Sequence, residues 1–190
     1  MRLQTTAKDM MTDQEILSLL HAEDSAEKGF RMLMQKYQER LYWHIRRMVL
    51  EHEDANDVIQ NTFIKVFKSI KRFEGKSKLY TWLYRIATNE ALTFLKKKKR
   101  KETVTLDDES NRINKLQSDP YFDGEEASLL LQKALAQLPE KQRMVFNLRY
   151  FDEMSYKEIE EVLETSVGAL KASFHHALKK VQVFLKEQVD

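Results

Sequence analysis

Residues 155–186 read SYKEIEEVLETSVGALKASFHHALKKVQVFLK, and their apolar residues recur at the spacing of two short helices. Ser155 and Glu158 fit a capping box at the start of the first helix. Residues 164–166 interrupt the pattern, and Ser166 is a good N-cap for the second helix. Two helices joined by so short a break predict a helix-turn-helix.

Charge distinguishes the two predicted helices. Residues 152–164 carry six acidic side chains, whereas residues 165–186 carry four lysines, two histidines and no acid. The second helix would therefore offer hydrogen-bonding and cationic groups to the major groove of DNA. The side chains assigned to this face are Lys171, Ser173, His175, His176, Lys179 and Lys180. An ordinary helical hairpin with a solvated basic face is the alternative interpretation.

Composition predicts an all-α protein. The 190 residues include only 4 Gly and 2 Pro, and 33% of them are charged. The absence of cysteine excludes disulfides, thiolate metal sites and a cysteine nucleophile. No run of about 18 apolar residues occurs, and residues 1–11 lack the apolar core of a signal peptide. We therefore expect a cytoplasmic protein without membrane insertion.

The charge of the chain is unevenly distributed, although its net value is only +2. Residues 62–101 carry 13 basic and 2 acidic side chains, whereas residues 102–126 carry 2 basic and 8 acidic ones. Residues 101–124 also lack sustained periodicity, which predicts a flexible acidic linker. It would join a helical domain at 1–100 to the helix-turn-helix domain at 125–190.

Three helical stretches are predicted in the first domain, at about 13–50, 54–70 and 79–99. In the second of them, Asp54 could cap the start and Phe67 is assigned to the inward face. Residues 73–78, FEGKSK, break the pattern at Gly75 and predict a loop before the third helix.

Aromatic and basic residues alternate in this loop and in the helix after it. They are Phe73, Lys76, Lys78, Tyr80, Trp82, Tyr84, Arg85 and Phe94. An exposed ring beside cations can stack on an unpaired base while the cations hold the phosphates, so the pattern favours single-stranded or melting DNA. The alternative is that the rings fill the core and the lysines are a solvated helix end.

In this order, the segments resemble the extracytoplasmic-function (ECF) class of bacterial sigma factors. Residues 54–66, DANDVIQNTFIKV, resemble its polymerase-binding stretch. Residues 73–77 followed by 80–89, YTWLYRIATN, resemble its −10 recognition and melting segment. The segments 138–143, 155–159 and 167–171 resemble its −35-reading domain. The resemblance covers nearly the whole chain, from about 13 to 185.

The resemblance implies a subunit that binds core RNA polymerase, directs it to promoters and helps to melt the DNA. Core-polymerase contacts would be Asp54, Asp57, Gln60, Asn61 and Phe63, the last of which could instead be core. Contacts to single-stranded −10 DNA would be Phe73, Lys76, Ser77, Lys78, Tyr80, Trp82, Arg85 and Asn89, with Asn89 facing the loop. Contacts to duplex −35 DNA would be Lys171, Ser173, His175, His176 and Lys179. Many relatives also bind an anti-sigma protein, although no residue here identifies one.

Two positions depart from the family pattern. Glu160 stands where the family usually keeps a small residue, so local packing is expected to differ. His175 and His176 stand where arginine is frequent, and a neutral histidine makes weaker phosphate contacts.

Two other function classes remain open at this point: a helix-turn-helix regulator with an N-terminal sensing domain, and a sequence-tolerant RNA- or single-strand-binding protein. An enzyme is not predicted, because clustered metal ligands, a Gly-rich phosphate loop and a supported nucleophile–base pair are missing from the sequence. We also expect no cofactor.

Overall fold

The computed structural model describes residues 11–102 and 126–188, and the regular structure in both ranges is helical. The α-helices are α1 (Asp13–His21), α2 (Ala26–Val49), α3 (His52–Ser69), α4 (Leu79–Glu102), α5 (Glu126–Ala136), α6 (Glu140–Tyr150), α7 (Tyr156–Leu163) and α8 (Val167–Glu187). Short 3₁₀ turns occupy Glu23–Ser25 and Ile70–Arg72. The all-α prediction is confirmed. The predicted linker at 101–124 lies outside the described residues, except that α4 continues through Lys101 and Glu102.

Local hydrogen bonds set the ends of the helix-turn-helix as the sequence predicts. The Ser155 hydroxyl accepts the Glu158 N–H while the Glu158 carboxylate accepts the Ser155 N–H at 2.8 Å, which completes a capping box for α7. The Ser166 side chain accepts from the N–H of Ala169 and caps α8. The loop 73–78 is present, and Gly75 has φ +71°, a conformation that favours glycine.

Two expectations for α3 are wrong. Asp54 does not cap this helix, because α3 begins at His52 and its N-cap is Glu51. Asp54 lies in the first turn instead, where its carboxylate binds Lys98 Nζ at 2.7 Å. Phe67, which was assigned to the inward face, is 61% exposed in the last turn of α3. Its ring makes an edge contact with Phe30 at 5.1 Å between centroids.

Helices α1–α4, the N-terminal group, enclose the larger part of the core. The helix α2 packs against α1, α3 and α4, and it buries Leu33, Leu41 and Ile45 completely. The crossing of α1 over α2 is close at Gly29, where a Cβ would lie 2.8 Å from the backbone nitrogen of Leu20. Residue 29 therefore has no room for a side chain.

Helices α5–α8, the C-terminal group, pack around α8. A small cluster between α5, α6 and α8 contains Ala134, Leu135, Leu138, Phe146, Ala177 and Val181. The rest of this group's apolar residues join the core of the N-terminal group, since Leu148, Ile159 and Val162 belong to the same buried cluster as Leu83 and Ala87. Helix α4 packs on α7 and α2 packs on α6, a contact between the groups that the sequence analysis did not predict.

Candidate nucleic-acid interface

The loop 73–78 and the first turn of α4 form a partly exposed aromatic and basic surface. The rings of Phe73 and Trp82 contact each other at 5.2 Å between centroids, and both side chains are half-buried. Lys76 is exposed and pairs with Glu74. The two rings therefore pack on the core on one side and remain accessible on the other, an arrangement in which a base could stack.

Lys78 and Tyr80 are already bound by an acid from the C-terminal group. Lys78 Nζ lies 2.9 Å from Glu158 Oε1 and 5.6 Å from the centre of the Tyr80 ring. Partial burial raises the pKa of Glu158, but hydrogen bonds from Tyr80, Lys78 and Ser155 outweigh it and bring the pKa to about 2. Glu158 is therefore ionised at neutral pH and holds two of the predicted −10 contacts.

Asn89 lies on α4, nearly three turns beyond the end of the loop that it was expected to face. It is exposed on α4, about 15 Å along the helix from Leu79 by the usual rise per residue. It lines a cleft of about 470 Å³ whose other walls include Leu92, Val162 and Ser173. No residue of the loop 73–78 lines this cleft, whereas Ser173, a predicted −35 contact, does.

The outward side of α8 carries most of the predicted −35 contacts. Lys171, His175, His176 and Lys179 are exposed, and Ser173 is half-buried. Leu170, Ala177 and Val181 anchor the opposite side of the helix in the core. The second helix of the helix-turn-helix therefore presents a cationic and hydrogen-bonding face to solvent, as duplex recognition requires.

Two side chains of α7 support the start of α8, and the sequence analysis missed both roles. The Tyr156 ring lies between two cations, with Lys171 Nζ at 5.8 Å and the Arg149 guanidinium carbon at 5.4 Å from its centre. Glu160, the unusual residue at its position, is exposed, and its carboxylate accepts the N–H of Val167 at 3.2 Å. Its effect on local structure is thus an extra cap on α8.

A third surface runs along α3. Asp57, Gln60 and Asn61 are exposed there, while Phe63 is buried in the core. Ile64 and Phe67, which the sequence analysis did not assign to this surface, are 51% and 61% exposed and follow Gln60 at helical spacing. The surface therefore combines an acid and two amides with two apolar side chains, a mixture that is common at protein interfaces.

Other kinds of site receive no support from the described part of the chain. It contains no group of three or more His, Asp or Glu side chains placed to hold a metal ion. Among the described helices, none is both long and apolar enough to cross a membrane.

Comparison with known proteins assigns both helical groups. Residues 33–101 match the family model of Sigma-70 region 2, and residues 128–181 match that of Sigma-70, region 4. The chain belongs to the sigma-70 family. As a sigma factor, it directs RNA polymerase to promoters at the start of transcription.

Curated relatives place this sigma factor in the ECF class. The ECF RNA polymerase sigma-E factor of Escherichia coli K12 is 31% identical over 182 residues, which cover 91% of this chain and 94% of the relative. The protein of the same name from Haemophilus influenzae is 30% identical over 183 residues, covering 92% and 95%. The RNA polymerase sigma-H factor of Pseudomonas aeruginosa is also 30% identical over 183 residues, covering 92% and 94%.

Solved structures share the fold. The sigma factor RpoE of Bartonella quintana, in complex with the anti-sigma factor NepR, gives a TM-score of 0.68 at 22% identity, covering 84% of this chain and 98% of that one. CnrH in complex with the cytosolic domain of CnrY also gives 0.68, at 20% identity, covering 92% and 97%. Both neighbours are therefore similar to this sigma factor in fold over most of their length.

Proposed function

We propose that this sigma factor holds one promoter at two separate places while a third surface binds core RNA polymerase. The proposed division is an N-terminal domain at 1–100, a linker at 101–124 and a helix-turn-helix domain at 125–190. The first domain binds polymerase and the unstacked −10 strand, and the second reads duplex −35 DNA. The observation that carries the proposal is the outward cationic face of α8, a helix whose opposite side is fixed in the core.

The −35 contacts come from α8. Lys171 and His176 are exposed, one and a half turns apart, and Lys179 lies a turn beyond His176. Some exposed side chains of such a helix reach base edges, while others contact the flanking phosphates. From the resemblance to the family we assign base contacts to Lys171, Ser173 and His176, and phosphate contacts to His175 and Lys179.

The −10 contacts come from the loop 73–78 and α4. The half-buried pair of Phe73 and Trp82 supplies ring surface, and Lys76 and Lys78 supply positive charge. Ser77, Tyr80, Arg85 and Asn89 complete the proposed set.

Core polymerase binds the surface of α3. Asp57, Gln60 and Asn61 are its proposed polar contacts. Asp54 contributes less, because Lys98 occupies its carboxylate, and Phe63 acts only by supporting the helix from the core. In this role the chain is a binding subunit without enzymatic activity, and it acts in the cytoplasm, where it meets core polymerase.

The −35 assignment is tested by the double substitution Lys171→Ala with His176→Ala. The promoter is first selected by the wild-type holoenzyme from a DNA library with randomised −35 and −10 elements. We expect the double variant to bind this promoter about thirtyfold more weakly or worse, because each of the two base contacts contributes at least about 1 kcal/mol of discrimination. The measurement is fluorescence anisotropy of the labelled promoter with assembled holoenzyme.

The matched control is Lys186→Ala, which removes a charge near the far end of the same helix. Because Lys186 is not among the proposed −35 contacts, this substitution should leave promoter affinity close to the wild-type value. The assignment is wrong if both variants weaken promoter binding equally, or if the double variant also loses its affinity for core polymerase.

A further inference from the structure

Glu160 on α7 reaches across the turn to the first residue of α8. Its Oε1 accepts the backbone N–H of Val167 at 3.2 Å, although seven positions separate the two residues. The Glu160 side chain is nevertheless exposed. Among the described residues, Val167 is the only hydrogen-bond partner of this carboxylate. The second oxygen, Oε2, therefore keeps its capacity to accept a hydrogen bond from a molecule outside the chain.

A second contact joins the same faces of α7 and α8. Tyr156 and Glu160 are four positions apart on α7, and Val167 and Lys171 are four positions apart on α8, so each pair shares one face of its helix. The centre of the Tyr156 ring lies 5.8 Å from Lys171 Nζ. The Glu160 carboxylate is thereby held about one helical turn before Lys171, on the face of α8 that is proposed to read the −35 element.

The surface around this carboxylate is open. Gly168 and Ala169, the next residues of α8, are both exposed, whereas Leu170 is buried. A Cβ added to Gly168 would have no side chain within 4 Å except those of its immediate neighbours. In a helix-turn-helix bound to DNA, the N-terminal residues of the second helix contact base edges. A base edge can therefore approach the start of α8 without meeting a bulky side chain.

The negative charge of Glu160 limits which base can lie opposite it. In the major groove, guanine presents the acceptors N7 and O6, and thymine presents the acceptor O4. Adenine presents its N6 amino group beside the acceptor N7, whereas cytosine presents only its N4 amino group. The positive end of the α8 dipole offsets the charge of the carboxylate. A carboxylate fixed at this point therefore favours cytosine over the other three bases.

We propose that Glu160 is a specificity-determining residue that accepts a hydrogen bond from the N4 amino group of a cytosine in the −35 element. This inference rests on the proposed function, because it assumes that α8 lies in the major groove there. The bond from Val167 fixes the carboxylate before DNA binds. One helical turn is about 6 Å, or about two base steps of 3.4 Å. The cytosine should thus lie within about two base pairs of the base that Lys171 contacts.

Selection from a DNA library tests this assignment. Wild-type chain, Glu160→Ala and Lys171→Ala are each assembled with core polymerase, and each holoenzyme selects from templates with a randomised −35 element. Sequencing of the bound DNA gives the base preference at every position. We expect wild-type chain to select cytosine at one position of the element, and Glu160→Ala to lose only that preference. Lys171→Ala should lose the preference at a neighbouring position instead.

The variant Glu160→Gln separates base reading from helix capping. The side-chain oxygen of glutamine can still accept the Val167 N–H, and a glutamine amide pairs well with N6 and N7 of adenine. We therefore expect this variant to change the preference from cytosine to adenine at the same position. A residue that only caps α8 would leave the preferred base unchanged with glutamine, and its replacement by alanine would weaken binding to all promoters alike.

Affinities for two matched promoters give the size of the effect. Fluorescence anisotropy compares the selected promoter with one that has guanine in place of the cytosine. Wild-type holoenzyme should prefer the cytosine promoter about fivefold or more, whereas Glu160→Ala should bind both nearly equally. The matched control is Glu161→Ala, which removes the next acid along α7, also exposed, and should keep the wild-type preference.

The outcomes distinguish this inference from the proposed function. Glu160 is exposed, so Glu160→Ala should fold, and Glu160→Gln carries the test if it does not. The assignment to Glu160 is overturned if Glu160→Ala and Glu160→Gln select the same −35 sequence as wild-type chain, or if Glu161→Ala also loses the cytosine. If wild-type holoenzyme enriches no sequence, the proposed function fails and the assignment fails with it.

Discussion

Replacing Phe146 by alanine is expected to lower the free energy of unfolding by about 3–5 kcal/mol. Phe146 is 2% exposed, and its ring stacks on Phe174 of α8 at 5.7 Å and on Tyr150 at 5.2 Å. Its removal leaves a cavity between α5, α6 and α8, so α8 loses the ring that holds it. Urea denaturation followed by circular dichroism measures the change.

The matched control for this substitution is Phe67→Ala. The same side chain is removed from a position that is 61% exposed, so the cost should stay within about 0.5–1 kcal/mol. Equal effects of the two substitutions would contradict the description of the core around α8.

Replacing Asp57 and Gln60 together by alanine is expected to weaken binding to core polymerase about tenfold to a hundredfold. Both side chains are exposed on α3, so their loss should leave the fold intact. A loss of about 1.4–2.7 kcal/mol corresponds to that change in affinity, and two central contacts of an interface can supply it. Labelled sigma factor titrated with core polymerase gives the Kd directly.

The control for this pair is Gln38→Ala with Glu39→Ala, which removes one amide and one carboxylate from an exposed part of α2. Core-polymerase affinity should remain at the wild-type value in that variant. If the two double variants bind polymerase with equal affinity, the polymerase-binding surface is not on α3. Thermal unfolding of each variant shows whether a loss of affinity reflects a loss of fold.

Local signals account for the parts of the fold that the sequence predicts well. The capping box of Ser155 and Glu158, the cap at Ser166 and the loop at Gly75 each depend on residues only a few positions apart. Their hydrogen bonds and backbone angles can therefore be predicted without knowledge of the tertiary structure. The outward face of α8 can be predicted for the same reason, because the apolar stripe fixes which residues lie opposite it.

Long-range pairings explain what the sequence does not predict. The sequence predicts Glu158 as a capping residue. Nothing near it in the chain indicates that it also binds Lys78, 80 positions earlier. In the sequence, Asp152 is only one of the six acids of residues 152–164, yet its side chain is buried against residues of α2 and α4. The exposure of Phe67 likewise depends on where α2 ends its contact with α3, which periodicity within α3 cannot encode.

The central claim concerns promoter-directed initiation, and transcription in vitro tests it most directly. Purified core polymerase is given the selected promoter on a linear template, with and without this chain. We predict a run-off transcript of one defined length only when the chain is present, and its loss when Asp57 and Gln60 are replaced. Absence of any promoter-specific transcript with wild-type chain would contradict the account.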